Sequence, residues 1–315
     1  MHGDDRALVL GLDVGGTSSR ALISDLTGRA LGTGEAAGGN PNSHPAPDAV
    51  AQMAAAAREA LGGHDPAAVR GCVLGMAGVS RMADPAFGEF FRSEWARLGL
   101  GCETTPVSDG VVAFAAGTPE PRGTVLIAGT GAVAERVEDH RTAATIGGWG
   151  WLLGDEGSAY WLGREAVRAT LRALERGAPV EGLVAAVCGH LGVAPERKAV
   201  IVAANASEPI HLAELAPLVT GAEDDAAEDI VHRAAVLLAD TAATARPDQH
   251  SPVVLAGGLL HPDNRIGQAL RAELEARSWP EPRTAGPGAA AAAWLAALPL
   301  AQDPITLHKT LLPQA

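Results

Sequence analysis

Cysteine is scarce in this sequence. The chain of 315 residues holds only three, Cys72, Cys102 and Cys188, and they lie far apart with no CxxC spacing. An odd and scattered set of this kind argues against a disulfide scaffold, a zinc ribbon and an iron–sulfur site. The chemistry of this chain must therefore come from other residue types.

Positive charge and long apolar runs are also lacking. Lys and Arg number 24 against 37 Asp and Glu, which gives a formal net charge of −13. Such an acidic chain suits nucleic acid poorly, although backbone amides and a metal ion can still hold a nucleotide phosphate. No apolar run approaches the ~18–20 residues that span a membrane, and residues 1–6 are polar, unlike a signal peptide. We expect a cytoplasmic protein whose partners include neither nucleic acid nor a membrane.

Aromatic residues make up 3% of the chain, yet three of the six Trp and the only Tyr fall between residues 147 and 161. This segment, GGWGWLLGDEGSAYW, sets rings among glycines and acids. A ring can cover the apolar face of a sugar while a carboxylate accepts hydrogen bonds from its hydroxyls. The alternative is a structural loop with Trp in the core and Asp155 capping the next helix. Because so many glycines make a poor core, the pattern favours a carbohydrate surface.

The length of the chain corresponds to about two domains at roughly 150 residues each. Hydrophobic residues make up 47%, which is enough for a sizeable core. The segment 117–123, punctuated by Pro and Gly, is the best candidate for a linker. On both sides of it a predicted buried strand runs into a Gly-Thr turn, which indicates an α/β fold with a partial internal duplication.

The first of these turns is suited to a phosphate. The strand over 7–14 and its turn supply a carboxylate, two glycines and two hydroxyls: Asp13, Gly15, Gly16, Thr17 and Ser18. Glycines let the backbone approach an anion closely, and the carboxylate suits a metal ion bound to that anion. The motif is neither a Walker A loop nor a GxGxxG fingerprint. A plain hairpin turn is the alternative interpretation.

Three further positions carry candidate chemistry. Gly129-Thr130-Gly131 follows another predicted strand, and with the first turn it could clamp a polyphosphate. Asp109 follows a predicted strand over 104–108, at the strand end where ligands bind in open α/β sheets. It is a candidate general base, with a helix N-cap as the alternative. Gly257-Gly258, after a predicted strand over 252–256, either lets a flat base lie against the backbone or makes only a turn.

Taken together and in this order, these motifs resemble the N-acetylglucosamine kinase family. That family is part of the BadF/BadG/BcrA/BcrD ATPase-like group of the sugar kinase/Hsp70/actin superfamily. The run GDEGSAYW over 154–161 is the most specific element of the match, and the motifs extend from about residue 9 to 293. The segments that carry the resemblance are 13–20, 40–41, 108–110, 129–131, 147–161 and 256–258.

The resemblance implies a fold. It implies an actin-like ATPase (ribonuclease H-like) architecture of two α/β lobes, each a mixed sheet flanked by helices, with a cleft between the lobes. The first lobe would cover 1–117 and be completed by a C-terminal helix at about 288–315. The second lobe, over 118–287, would carry the nucleotide site and the sugar loop.

The resemblance also implies ATP and Mg²⁺ as cofactors, with Asp13 holding the metal through water and Asp109 acting as the catalytic base. Nucleotide contacts would come from Gly15, Gly16, Thr17, Ser18, Gly129, Thr130, Gly131, Gly257 and Gly258. Sugar contacts would come from Asn40, Asp109, Thr130, Gly148, Trp149, Asp155 and Ala159. Proteins of this kind are often homodimers, and no feature of the sequence specifies an interface.

The expected function is therefore ATP-dependent phosphorylation of an amino sugar, N-acetylglucosamine to its 6-phosphate. Ala132 stands where the family commonly has a Ser, and Gly75–Gly78 also lacks a hydroxyl found in relatives. Glucosamine and N-acetylmuramic acid thus stay open as acceptors. Two other classes are a non-catalytic sugar-binding regulator and an ATPase activator of an acyl-CoA dehydratase. The scattered cysteines disfavour the activator, which needs an iron–sulfur cluster.

Overall fold

The computed structural model describes residues 7–313. The strands are β1 (Leu8–Val14), β2 (Ser18–Asp25), β3 (Ala30–Ala37), β4 (Val69–Met76), β5 (Thr104–Val107), β6 (Gly123–Ala128), β7 (Ala132–Glu138), β8 (Arg141–Gly147), β9 (Val253–Ala256) and β10 (Arg283–Thr284). The helices are α1 (Ala46–Leu61), α2 (Pro85–Leu98), α3 (Asp109–Gly117), α4 (Ala159–Glu175), α5 (Gly182–Leu191), α6 (Arg197–Ala204), α7 (Ala216–Gly221), α8 (Asp225–Ala245), α9 (Arg265–Ala276), α10 (Gly288–Ala297) and α11 (Pro304–Leu311). Within residues 7–313, none of the helices is apolar over a length that would cross a membrane.

The chain divides into two compact units, each built on one five-stranded sheet. The first unit contains residues up to 122, residues 137–142 and residues from 285 onward; the second contains 123–136 and 143–284. The strand order is β3-β2-β1-β4-β5 in the first sheet and β10-β9-β6-β7-β8 in the second. The expected α/β class, with two mixed sheets flanked by helices, is confirmed.

In the first unit, strand β1 presents different residues to its two faces. Leu8, Leu10 and Leu12 point into an apolar cluster that α1 and α2 complete. Side chains alternate along a strand, so Gly11 and Asp13 belong to the opposite face. A Cβ on Gly11 would come within 2.0 Å of the Ala293 backbone nitrogen, so this second face packs on α10.

Helix α10 explains the alanine-rich stretch near the end of the sequence. All its residues from Ala289 to Ala297 are buried, as expected for a helix that is apolar on every side. Its backbone contacts the sheet directly, because a Cβ on Gly71 would come within 2.4 Å of the Ala296 carbonyl oxygen. Small residues on both the helix and the strands allow this close packing.

The second unit has its own core. Strands β6 and β9 pack with α4, α8 and α9, and the buried cluster includes Leu126, Leu162, Leu238 and Leu270. The segment 177–226 forms α5, α6 and α7 and an intervening helical turn around α4.

Helix α1 begins at Ala46 after Pro45, and Asp48 lies in its first turn rather than at its N-cap. Pro47 is tolerated in this turn, because a backbone N–H there would have no partner within the helix. Helix α11 lies beyond residue 299, in the C-terminal part of the first unit. Asp303 caps it by accepting a hydrogen bond from the Thr306 N–H.

Candidate functional site

Asp13 lies on the face of β1 that α10 covers. Its carboxylate is half-buried, and a Cβ on Gly288, the first residue of α10, would come within 2.2 Å of its Oδ2. Burial raises the pKa of this carboxyl, the charge of Asp109 raises it further, and Arg20 on β2 opposes both. A carboxylate is thereby held at the end of a buried strand, next to the turn that follows it.

The turn after β1 leaves part of its surface open. The Gly15 N–H donates to the Ser18 carbonyl at 2.9 Å, which closes the turn at the first residue of β2. Gly16 and Thr17 at its tip are exposed. The nearest atom to a Cβ on Gly16 would be Ser43 Oγ at 3.5 Å. The tip can therefore be approached by a ligand.

Asn40 lies beside this turn. The N–H groups of Gly39 and Asn40 both donate to the Gly15 carbonyl at 3.2 Å, and His44 Nε2 is hydrogen-bonded to the Gly16 carbonyl at 2.7 Å. The Oδ1 atom of Asn40 accepts the Asn42 N–H at 2.8 Å. That bond does not involve the Asn40 NH₂ group, which can donate to a sugar oxygen.

Asp109 is the first residue of α3, but it does not cap the helix. Ser108 is the N-cap, and its Oγ accepts the Val111 N–H at 3.0 Å. Burial raises the pKa of the Asp109 carboxyl, while hydrogen bonds from the N–H groups of Gly110 and of Asp109 itself lower it less. The N-cap interpretation of Asp109 is thus wrong. The structure brings its charge close enough to Asp13 to raise the pKa of that residue.

In the second unit, the Gly129–Gly131 loop is braced on the start of α4. Gly129 N–H donates to the Gly131 carbonyl at 2.9 Å. The Gly129 and Thr130 carbonyls accept the N–H groups of Ala159 and Tyr160 at 2.8 and 3.3 Å. Ala159 therefore lies beside the loop, and Thr130 at the loop's centre is exposed.

Asp155 also lies against this loop. A Cβ on Gly131 would come within 2.7 Å of Asp155 Oδ2. The carboxylate accepts hydrogen bonds from the Ala132 and Gly150 N–H groups, which lower its pKa, but burial raises that pKa by more. Asp155 does not cap α4, because Ser158 does so through the Trp161 N–H. The backbone φ of Asp155 is +56°, a strained value for a non-glycine residue.

The three tryptophans of the 147–161 segment have different environments. Trp161 is buried, and Trp151 packs against Tyr160 with 5.5 Å between ring centroids. Trp149 is 69% exposed, next to the equally open Leu152 and Leu153. Only Trp149 among these rings is free to cover a sugar, and sequence reasoning missed the two leucines.

Gly148, Gly257 and Gly258 are the remaining candidate site residues in the second unit. Gly148 N–H donates to the Ala132 carbonyl at 3.1 Å, which ties the Trp149 segment to the end of the Gly129–Gly131 loop. Gly257 has φ +93°, and a Cβ there would come within 2.2 Å of the Ala128 carbonyl oxygen. Glycine is required at 257, because any side chain would meet the end of β6. Gly258 is exposed, with open space where a Cβ would lie.

The structure thus groups the predicted residues into one set in each unit. Sequence reasoning missed Gly288, whose contact with Asp13 joins distant parts of the chain. The Gly-Pro-Gly entry over 286–288 was a signal that could have found it, because glycine at the first turn of an otherwise alanine-rich helix has low helix propensity and calls for a local reason.

Comparisons with known proteins identify the family of this chain. A model of the BadF/BadG/BcrA/BcrD ATPase family matches residues 10–278. The N-acetylmuramic acid/N-acetylglucosamine kinase of Clostridium acetobutylicum is 30% identical over 171 residues, which are 53% of this chain. The match spans 55% of the length of that relative.

Solved structures extend the likeness over most of the chain. A provisionally assigned N-acetylglucosamine kinase from Chromobacterium violaceum superposes with a TM-score of 0.71 at 26% identity, covering 92% of this chain and 98% of the other. A ROK family glucokinase from Streptomyces griseus, in complex with glucose and AMPPNP, superposes with a TM-score of 0.55 at 20% identity, covering 94% and 99%. The second likeness concerns the fold alone.

Proposed function

Because the chain belongs to the BadF/BadG/BcrA/BcrD ATPase family, we propose that it is an ATP-dependent kinase of amino sugars. The acceptor is N-acetylglucosamine, phosphorylated on its primary hydroxyl to the 6-phosphate. The observation that carries the proposal is the placement of Asp109. Its carboxylate is half-buried at the start of α3, another residue caps the helix, and burial raises its pKa.

Asp109 serves as the general base. The oxygen of the sugar hydroxyl attacks the γ-phosphorus, the bond from that phosphorus to the bridging oxygen breaks, and ADP leaves. The hydroxyl proton passes to an Oδ atom of Asp109. A raised pKa makes this carboxylate a better proton acceptor than an ordinary aspartate, provided that it stays ionised at the working pH. The rest of the catalysis is positioning and charge stabilisation.

The residues around Asp13 fit Mg²⁺. In residues 7–313, no three or more His, Cys, Asp and Glu side chains cluster as a metal cage. Mg²⁺ usually needs none, because it is held by one or two carboxylates together with substrate phosphates and water. Asp13 supplies such a carboxylate beside the exposed Gly16-Thr17 tip. When bound, the ion neutralises charge on the phosphates.

The second unit provides further sugar and nucleotide contacts in this proposal. Asp155 accepts hydrogen bonds from sugar hydroxyls, and the exposed ring of Trp149 covers an apolar face of the sugar. Gly257 and Gly258 lie against the adenosine, where no side chain obstructs a flat base. Gly129, Thr130 and Gly131 approach the phosphates through their backbone.

N-acetylmuramic acid is a second acceptor. The name of the Clostridium acetobutylicum relative includes this sugar. In this chain, Leu152 and Leu153, which follow Trp149 in the sequence, are exposed and could contact the methyl group of the lactyl substituent of this sugar.

The first test measures ATP consumption with Mg²⁺ against N-acetylglucosamine, N-acetylmuramic acid, glucosamine, N-acetylmannosamine and glucose. We expect N-acetylglucosamine and N-acetylmuramic acid to stimulate turnover most. Turnover that no sugar stimulates, with nucleotide still bound, would contradict the kinase proposal and favour the regulator.

The second test is Asp109→Asn. Loss of a general base costs about 10²–10⁴-fold in turnover, and we expect that loss with sugar binding retained. Asp48→Asn is the matched control, because Asp48 is an exposed acid in the first turn of α1. If Asp109→Asn turns over as fast as this control, Asp109 is not the base.

A further inference from the structure

The turn between β7 and β8 is held in an uncommon conformation. Its two central residues, Asp139 and His140, have φ of +49° and +54°. Two-residue turns with positive φ at both positions favour Asn-Gly, Asp-Gly or Gly-Gly, so Asp139 is usual here and His140 stands where glycine is preferred. A side chain in this conformation persists where the surrounding contacts stabilise it.

Three contacts hold this turn within the first unit. The His140 N–H donates to the Pro121 carbonyl at 3.1 Å. The His140 ring meets the Trp294 ring of α10 edge-on, with 5.2 Å between centroids. Thr142, just after the turn, has its Oγ1 at 2.8 Å from Ser108 Oγ. The third contact reaches the residue that precedes Asp109.

Ser108 links Thr142 to the first turn of α3. Its Oγ accepts the Val111 N–H at 3.0 Å, and the Asp109 carboxylate accepts the N–H groups of Asp109 and Gly110. The N–H groups of the first three helix residues therefore donate to two side chains, those of Ser108 and Asp109. A serine hydroxyl that accepts the amide proton keeps its own proton for a second partner, and Thr142 Oγ1 is within reach.

We infer that Thr142 is a positioning residue for Asp109. Its hydroxyl fixes the rotamer of Ser108, Ser108 fixes the first turn of α3, and that turn fixes the carboxylate. The inference rests on the proposed function, in which Asp109 accepts the proton of the sugar. Thr142 itself is exposed, so its substitution leaves the core intact.

The direct test is Thr142→Val, which removes the hydroxyl and keeps the shape. One lost neutral hydrogen bond and a small displacement of the base should lower kcat roughly three- to tenfold. KM for ATP should stay unchanged, because Thr142 is not among the residues that we assign to the nucleotide. Thr142→Ser should restore kcat. Thr105→Val is the matched control, because Thr105 is an exposed threonine of the neighbouring strand β5.

A double-substitution cycle separates positioning from a general structural role. In an Asp109→Asn background, Thr142→Val should cost no further turnover, because the group that it positions is gone. An equal loss in both backgrounds, or a kcat for Thr142→Val that matches Thr105→Val, would overturn the inference. Normal turnover by Asp109→Asn alone would instead refute the proposed base, and the premise of the inference with it.

Discussion

Gly288 lies directly against the carboxylate of Asp13, so closely that a Cβ would come within 2.2 Å of Oδ2. The two residues come from opposite ends of the chain, on β1 and at the first position of α10. Glycine is a poor helix former, so its place here has a local reason. The reason is room for the acid that we assign to the metal.

Gly288→Ala should therefore reduce activity, although alanine favours a helix. The added methyl must displace Asp13 or the start of α10, and overpacking of this kind costs about 1–3 kcal/mol. We expect a higher Mg²⁺ requirement for turnover and a lower Tm, measured by metal titration and thermal unfolding. Gly63→Ala is the control, because a Cβ there has open space. Unchanged Mg²⁺ dependence in Gly288→Ala would contradict the role of Asp13.

Asp109→Asn should raise the Tm near neutral pH while it lowers turnover. The pKa of Asp109 is raised in the folded state. A raised pKa means that the protein is stabilised by this group only while it is protonated, and that this stability is lost as the pH rises through the folded pKa. Asparagine stays neutral throughout.

The difference in Tm between the Asp109→Asn variant and the unmodified protein should therefore shrink as the pH is lowered through the raised pKa, and calorimetry across that range measures it. If the difference in Tm were the same at every pH, ionisation of Asp109 would not contribute to that difference. Asp48→Asn again provides the comparison, since Asp48 is exposed.

Trp149→Ala should weaken sugar binding without destabilising the protein. The ring is 69% exposed, so the fold loses little when it is removed. The ring supplies apolar surface to one face of the sugar, and its loss should raise KM for the sugar several-fold. Phe90→Ala, another exposed ring, is the control. An unchanged KM for the sugar would remove Trp149 from the site.

Ala132→Ser should destabilise the protein rather than improve its preference for N-acetylated sugars. Ala132 is buried in the core of the second unit, and a buried hydroxyl without a partner costs about 1–3 kcal/mol. Ala134→Ser is a matched control on the same strand and, by alternation, on the same face. If Ala132→Ser alone lowers KM for N-acetylglucosamine and keeps its Tm, the hydroxyl reaches the sugar.

The sequence predicted the strands over 7–14, 104–108 and 252–256, because buried apolar runs bounded by turn residues are strong local signals. It could not predict which polar groups meet. The carboxylate of Asp155 lies against Gly131, and the backbone φ of Asp155 is positive. No local sequence pattern predicts a positive φ at this aspartate. Ser108 and Asp109 are both good helix caps by type. The backbone geometry decides that Ser108 caps α3 and that Asp109 is the first residue of the helix.

Helix α10 has a consequence for how the chain acquires its structure. It covers one face of the sheet that contains β1, and the contact is made backbone to backbone at Gly11. During synthesis β1 leaves the ribosome early, whereas α10 emerges only after the whole second unit. Until α10 has been synthesised, the face of the first sheet that contains Gly11 and Gly71 is uncovered. Incompletely packed chains of this kind are prone to aggregate. The native packing of the first unit can be completed only by a contact of very high sequence separation, which folding theory associates with slow final assembly.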